Sequence, residues 1–92
     1  MSENQNKRLT GAISVTIRAY FKIPKSASKK KRQEMISGEV KPEKKPDLSN
    51  VVKIIEDALN GIAYKDDSQI VELAAYKNWS ENPRVEVELE VI

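Results

Sequence analysis

From Ile13 the chain alternates without a break. Ile13, Val15, Ile17, Ala19, Phe21 and Ile23 are apolar, and Ser14, Thr16, Arg18, Tyr20 and Lys22 stand between them. A period of two sends successive side chains to opposite faces, so the stretch predicts a half-buried strand. Pro24 has no N–H to donate and ends it. A different period follows Asp47. Val51, Val52, Ile54, Ile55, Ala58 and Leu59 recur at three- and four-residue spacing and predict the buried side of an amphipathic helix from about Asn50 to Asn60, closed by Asn60-Gly61. Asn50, Lys53 and Asp57 form its polar stripe.

Between these two elements, Ser28 predicts the N-cap of a shorter helix, Lys29–Ser37, with Gly38 as its stop. Its apolar face is little more than Met35 and Ile36. Lys29, Lys30, Lys31 and Arg32 crowd the positive end of the helix dipole, each at a cost of roughly a few tenths of a kcal/mol. A segment that tolerates this pile-up points to an anion; a solvated basic helix is the plainer alternative. Glu39–Pro46, with its prolines and charges, predicts an exposed loop. Past the helix, Lys65-Asp66-Asp67-Ser68 predicts a turn. Ile70–Lys77 and Arg84–Ile92 then predict two strands joined as an antiparallel hairpin, with Val85, Val87, Leu89 and Val91 on one side and Glu86, Glu88 and Glu90 on the other. Residues 1–12 are expected to be a flexible arm and residues 13–92 a single domain. The order β-α-α-β-β defines an α/β (α+β) domain, with two helices on a small mixed or antiparallel sheet of about three strands.

Composition narrows the chemistry. With no cysteine and no histidine among 92 residues, disulfides, thiolate zinc sites, Ser-His nucleophiles and imidazole acid–base catalysis are all excluded. A metal would be a hard cation on oxygen ligands, Mg²⁺ or Mn²⁺ by preference. No apolar run approaches the roughly 20 residues of a membrane span, and Met1–Thr10 has no signal-peptide core, so a cytoplasmic protein is expected. The net charge of +2 hides an asymmetry: residues 22–45 carry nine Lys/Arg against three Glu, and residues 46–92 carry four Lys/Arg against ten Asp/Glu. A basic block beside an acidic one suits a protein that holds a polyanion with one part and a cation with another, or simply a basic loop that balances an acidic sheet.

Asp47 before the long helix, Lys53 within it and Asp66 and Asp67 in the later turn are the side chains that would serve a metal-dependent phosphodiesterase. Such a site gathers two or three carboxylates on divalent ions, with a lysine near the phosphate. Spacing alone leaves ordinary alternatives open: Asp47 as a cap, Lys53 paired with Asp57, Asp-Asp-Ser as turn chemistry.

A wider pattern resembles the RusA family of Holliday-junction resolvases, small homodimeric endonucleases of phages and prophages. It is carried by Ile17-Arg18-Ala19-Tyr20-Phe21-Lys22-Ile23-Pro24-Lys25-Ser26, Ser28-Lys29-Lys30-Lys31-Arg32 and Lys44-Lys45-Pro46-Asp47. It continues through Asn50, Lys53, Asp57-Ala58-Leu59-Asn60-Gly61, Tyr64-Lys65-Asp66-Asp67-Ser68-Gln69 and Pro83-Arg84-Val85-Glu86-Val87. The resemblance implies a RusA-like fold, Mg²⁺ (or Mn²⁺) dependence and homodimers. It implies Asp47 and Asp67 as metal ligands, with Asp66 beside them, and Lys53 as the catalytic lysine. It implies contacts to DNA phosphates from Lys29, Lys30, Lys31 and Arg32; on a DNA-binding reading Lys41, Lys44 and Lys45 would join them.

The family pattern has a second aspartate two residues after the first, and Ser49 stands there instead. Ala27 and Ala74 also depart from it, where a larger aromatic or a histidine is usual, and family members usually carry some forty more residues before the first strand. A neutral hydroxyl is a poor substitute for a carboxylate at an octahedral Mg²⁺ site, whereas serine suits a helix start. Three readings follow. The first is a degenerate, phage-derived RusA-like protein that binds branched or duplex DNA with weak or no cleavage. The second is an active junction resolvase that recruits Asp66 or Asp57. The third is a phage counter-defence inhibitor, anti-CRISPR-like, that uses the fold as a scaffold against a host defence nuclease.

Overall fold

The computed structural model describes residues 8–92. Met1–Lys7, most of the expected arm, lie outside the described residues. Five main elements follow in order: β1 (Ile13–Lys22), α1 (Lys29–Ser37), α2 (Leu48–Leu59), β2 (Ile70–Ser80) and β3 (Arg84–Val91), with a short 3-10 turn at Asp67–Gln69 before β2. The result is the expected small α+β unit, two helices with a three-stranded mixed sheet.

The alternation from Ile13 places β1 in the middle of the sheet. Ile13, Val15, Ile17 and Ala19 are each at most 3% exposed and form the floor of the core with Val51 and Tyr64. Val52, Ile55 and Leu59 of α2, Ala75 of β2 and Val87 and Leu89 of β3 pack on that floor. Of the expected buried side of α2, Ile54 and Ala58 are exposed instead. A helix lying on a sheet covers only the stripe that faces it, and these two positions lie at the edge of that stripe.

The expected hairpin does not form. β2 pairs parallel with β1 and β3 pairs antiparallel with β1, so the sheet order is β2-β1-β3 and the last two strands never touch as a pair. Two causes are visible. The α1–α2 segment is long enough to make the crossover that a parallel neighbour needs. The connection Glu81-Asn82-Pro83 is four peptide steps, a reach of about 13–14 Å, which exceeds the roughly 9.6 Å across two strand spacings. The chain therefore steps over the end of β1. Lys22 holds the step by donating from Nζ to the Glu81 carbonyl at 2.9 Å, and the Ile23 amide donates to the Ser80 carbonyl at 3.2 Å.

At the other end of the strands, Leu9 is tied down: its amide donates to the Ala63 carbonyl at 2.9 Å, and Gln69 Nε2 donates to the carbonyls of Leu9 and Gly11. The loop before α2 is not wholly exposed, since Pro42 is buried.

Candidate metal centre and nucleic-acid interface

α1 forms as its sequence directs. Ser28 accepts from the Lys31 amide at 3.1 Å, and Gly38, at φ 91°, turns the chain out while the amides of Gly38 and Glu39 return to the carbonyls of Met35 and Glu34. Met35 is its only buried residue. Lys29, Lys30 and Lys31 occupy the first turn, exposed, and none of the ion pairs among the described residues involves them. Arg32 behaves differently. Its Nη1 meets both carboxylate oxygens of Glu81 at 2.9 Å, and its Nη2 reaches the Pro24 carbonyl. Expected with the lysines as a phosphate contact, Arg32 here pairs with Glu81 and links α1 to the β2–β3 connection. Lys44 and Lys45 are exposed in the loop, with the Lys44 carbonyl accepting from Lys77 Nζ.

α2 begins two residues earlier than the periodicity predicts. Asp47 is its N-cap by backbone geometry, and its carbonyl accepts from the amides of Asn50 and Val51. Its carboxylate makes no capping hydrogen bond, which leaves both oxygens open to another partner. Ser49 is thus the second helical residue and not the cap. Lys53 is exposed one turn further on, and no ion pair among the described residues joins it to Asp57.

The two aspartates of the later turn have separate tasks. Asp66 caps the 3-10 turn: its Oδ2 accepts from the Ser68 amide at 2.9 Å, while Gln69 Oε1 accepts from the Lys65 and Asp66 amides. These bonds from Ser68, from its hydroxyl and then its backbone, favour the charged form and hold the Asp66 carboxyl below the usual range. Asp67 accepts from Tyr64 instead, whose hydroxyl lies 3.0 Å from Asp67 Oδ1 and 3.4 Å from the Glu56 carbonyl. Tyr64 is fully buried. Burial first, then the bond to Asp67 and the negative charges of Asp67, Glu56 and Asp57, push its hydroxyl up to about 12. Tyr64 stood in the family pattern, but the sequence assigned it no role. A signal was present, because a tyrosine buried beside an acidic pair needs a partner for its hydroxyl.

The candidate ligands do not converge within one chain. Because β1 and β2 are parallel, the crossover helix α2 runs back against them. Its start lies near the far end of β2, where Lys77 meets Lys44, and its end lies near the start of β2, where Tyr64 meets Glu56. Nine residues separate Asp47 from Glu56, about 13–14 Å along the helix axis. Two oxygens on one Mg²⁺ sit no more than about 4 Å apart, since each bond is about 2.1 Å. Among the described residues no group of three or more acidic side chains is placed to hold a metal ion. Asp47 and Asp67 of a single chain do not fit one shared cation, and Asp66, whose Oδ2 caps the 3-10 turn, lies at the Asp67 end.

The chain belongs to the RusA endodeoxyribonuclease family, whose description, "Endodeoxyribonuclease RusA", matches residues 1–90. Among curated proteins it is similar to YqaN of Bacillus subtilis (strain 168), itself uncharacterised, with 48% identity over 81 residues. That alignment takes in 86% of this chain and 57% of YqaN, so the chain spans little more than half the length of this relative. No solved structure matches at a significant level. No helix among the described residues is long and apolar enough to cross a membrane.

Proposed function

We propose that the chain is a RusA-family protein that binds DNA, branched or duplex, through the first turn of α1, and cleaves it weakly or not at all. The observation that carries this reading is Ser49, placed in the first turn of α2 where the family pattern has its middle carboxylate. The neighbouring acids offer no replacement within the chain: Asp66 lies in the same distant turn as Asp67, with its Oδ2 accepting from the Ser68 amide, and Asp57 lies ten residues, about 15 Å, further along the helix than Asp47. The active-resolvase alternative that recruits either of them therefore lacks support. The basic side of the protein is unspent. Three lysines stand exposed at the positive end of α1, in no ion pair among the described residues, in the arrangement that phosphate would relieve.

The test is binding and nicking of a four-way DNA junction, with and without Mg²⁺. The chain is expected to bind with strong salt dependence and to nick little. Changing Lys29, Lys30 and Lys31 together to Gln is expected to weaken binding and lower the magnitude of the slope of log K against log salt by about 3. Unchanged affinity in that variant would sink the assignment of α1. Robust Mg²⁺-dependent nicking by the unaltered chain would restore the resolvase reading.

A further inference from the structure

The sheet has a second face, turned away from α2. Alternation puts Arg18 and Tyr20 of β1 there, and the parallel register sets Tyr76 beside Arg18 and Asn78 beside Tyr20. With Met35 and Ile36 of α1 these side chains line an open cleft of about 360 Å³. That is the low end of the range that holds small ligands, and too small for a folded partner. Its walls are aromatic and apolar, and they are uncovered: Tyr76 is 50% exposed. The Tyr20 ring already carries the Arg84 guanidinium, 4.0 Å from its centroid, so Tyr76 offers the open ring.

The charges around the cleft are matched. Arg18 pairs with Glu88 and Arg84 with Glu86, which suits a neutral occupant better than a phosphate. Hydrogen-bonding capacity is left over. Lys41 Nζ donates to Asn78 Oδ1 at 2.8 Å, which fixes the amide and leaves Nδ2 as its donor. Trp79 borders the same cleft, and its buried indole N–H has no partner. A neutral aromatic ring with carbonyl or ring-nitrogen acceptors on its edge fits these features, and nucleobases are such rings. α1 ties the cleft to the basic block. Lys29, Lys30 and Lys31 precede Met35 by four to six residues, about 6–9 Å along the helix axis. We propose that the cleft receives one unpaired nucleobase of a DNA strand whose phosphates follow Lys41 and the first turn of α1. Tyr76 stacks on the base and Asn78 binds its edge. The inference rests on the DNA-binding reading above and adds a contact that closed duplex cannot make, because a paired base keeps its faces and its pairing edge inside the helix.

The test is fluorescence anisotropy with three labelled probes: a mixed-sequence single strand, a duplex of the same length, and a single strand of abasic sites that keeps the phosphates. The abasic strand is expected to bind at least about fivefold more weakly than the mixed one. Tyr76→Ala is expected to lose at least about fivefold on the mixed strand and nothing on the abasic strand or the duplex. Tyr76→Phe, which keeps the ring, is expected to bind as the unaltered chain does. Because Tyr76 is half exposed, the circular dichroism spectrum of the alanine variant should not change. Equal affinity for mixed and abasic strands, or a Tyr76→Ala variant that binds the mixed strand normally, would overturn the base cleft and leave DNA binding standing. A loss in Tyr76→Ala with unchanged affinity after Lys29, Lys30 and Lys31 are changed to Gln would remove the lysine assignment and keep the cleft. Binding to none of the probes would overturn both.

Discussion

The two helices are of similar length and are held in opposite ways. α2 rests on the core through Val51, Val52, Ile55 and Leu59, and its end is fixed by Asn60. α1 buries Met35 alone and leaves Ile36 58% exposed. It is kept in place by a serine cap, a left-handed glycine and the Arg32–Glu81 ion pair. Burial holds the helix that carries the acidic residues; polar fasteners hold the helix that carries the exposed lysines. The difference teaches where each can change. α2 is constrained on the face that packs, whereas α1 has almost no inward demand on its sequence and can devote its surface to charge.

The contrast can be strained at three depths. Ile17→Ala removes the fully buried floor beneath the core and is expected to cost about 2–5 kcal/mol in denaturant unfolding. A loss under about 1 kcal/mol would mean that burial does not hold the α2 side. Tyr64 gives a pH-dependent test. A tyrosine whose pKa is raised on folding contributes its stability in full below the unfolded value of 10.0, and loses it as pH rises through about 12. The unaltered chain is expected to lose on the order of 2–3 kcal/mol across that window beyond the loss shown by Tyr64→Phe. Parallel pH profiles for the two proteins would show that the Tyr64–Asp67 bond adds nothing. The smallest effect belongs to α1. Lys29, Lys30 and Lys31 changed together to Gln should raise stability by no more than about 1 kcal/mol, through relief at the helix dipole. A clear destabilisation would show that these lysines hold α1 down.

Much of this architecture was legible from local pattern. The strict alternation from Ile13 predicted β1 as a strand with one buried face, Ser28 and Gly38 bracketed α1 to the residue, and the three- and four-residue spacing predicted α2 and most of its packed side, Ile54 and Ala58 excepted. Each of these signals is decided within a few residues. The pairing of β2 and β3 was not legible, because a three-residue step reads as a hairpin unless it is known that β1 has vacant edges on both sides. The early start of α2 was hidden because Leu48 precedes the periodic run and Asp47 caps with its backbone only. The lysines of the candidate DNA face were readable as free charge, but the diversion of Arg32 to Glu81 depends on where β2 ends. The division of Asp47 from Asp67 is likewise a product of topology: twenty positions apart in sequence, they fall at opposite ends of a crossover.

The sheet order has a consequence for how the chain is made. The strand that must be flanked on both sides is synthesised before either of its neighbours. Ile13 precedes Ile70, its first partner on β2, by 57 positions (70 minus 13), and β3 is later still. At about 5–20 residues per second, the strand spends roughly 3–11 s without a native neighbour. During that interval its continuous apolar face is available to other nascent chains. The alternate positions Arg18 and Lys22 then act as sentries, placing positive charge on a bare edge and discouraging the pairing of one unfinished chain with another.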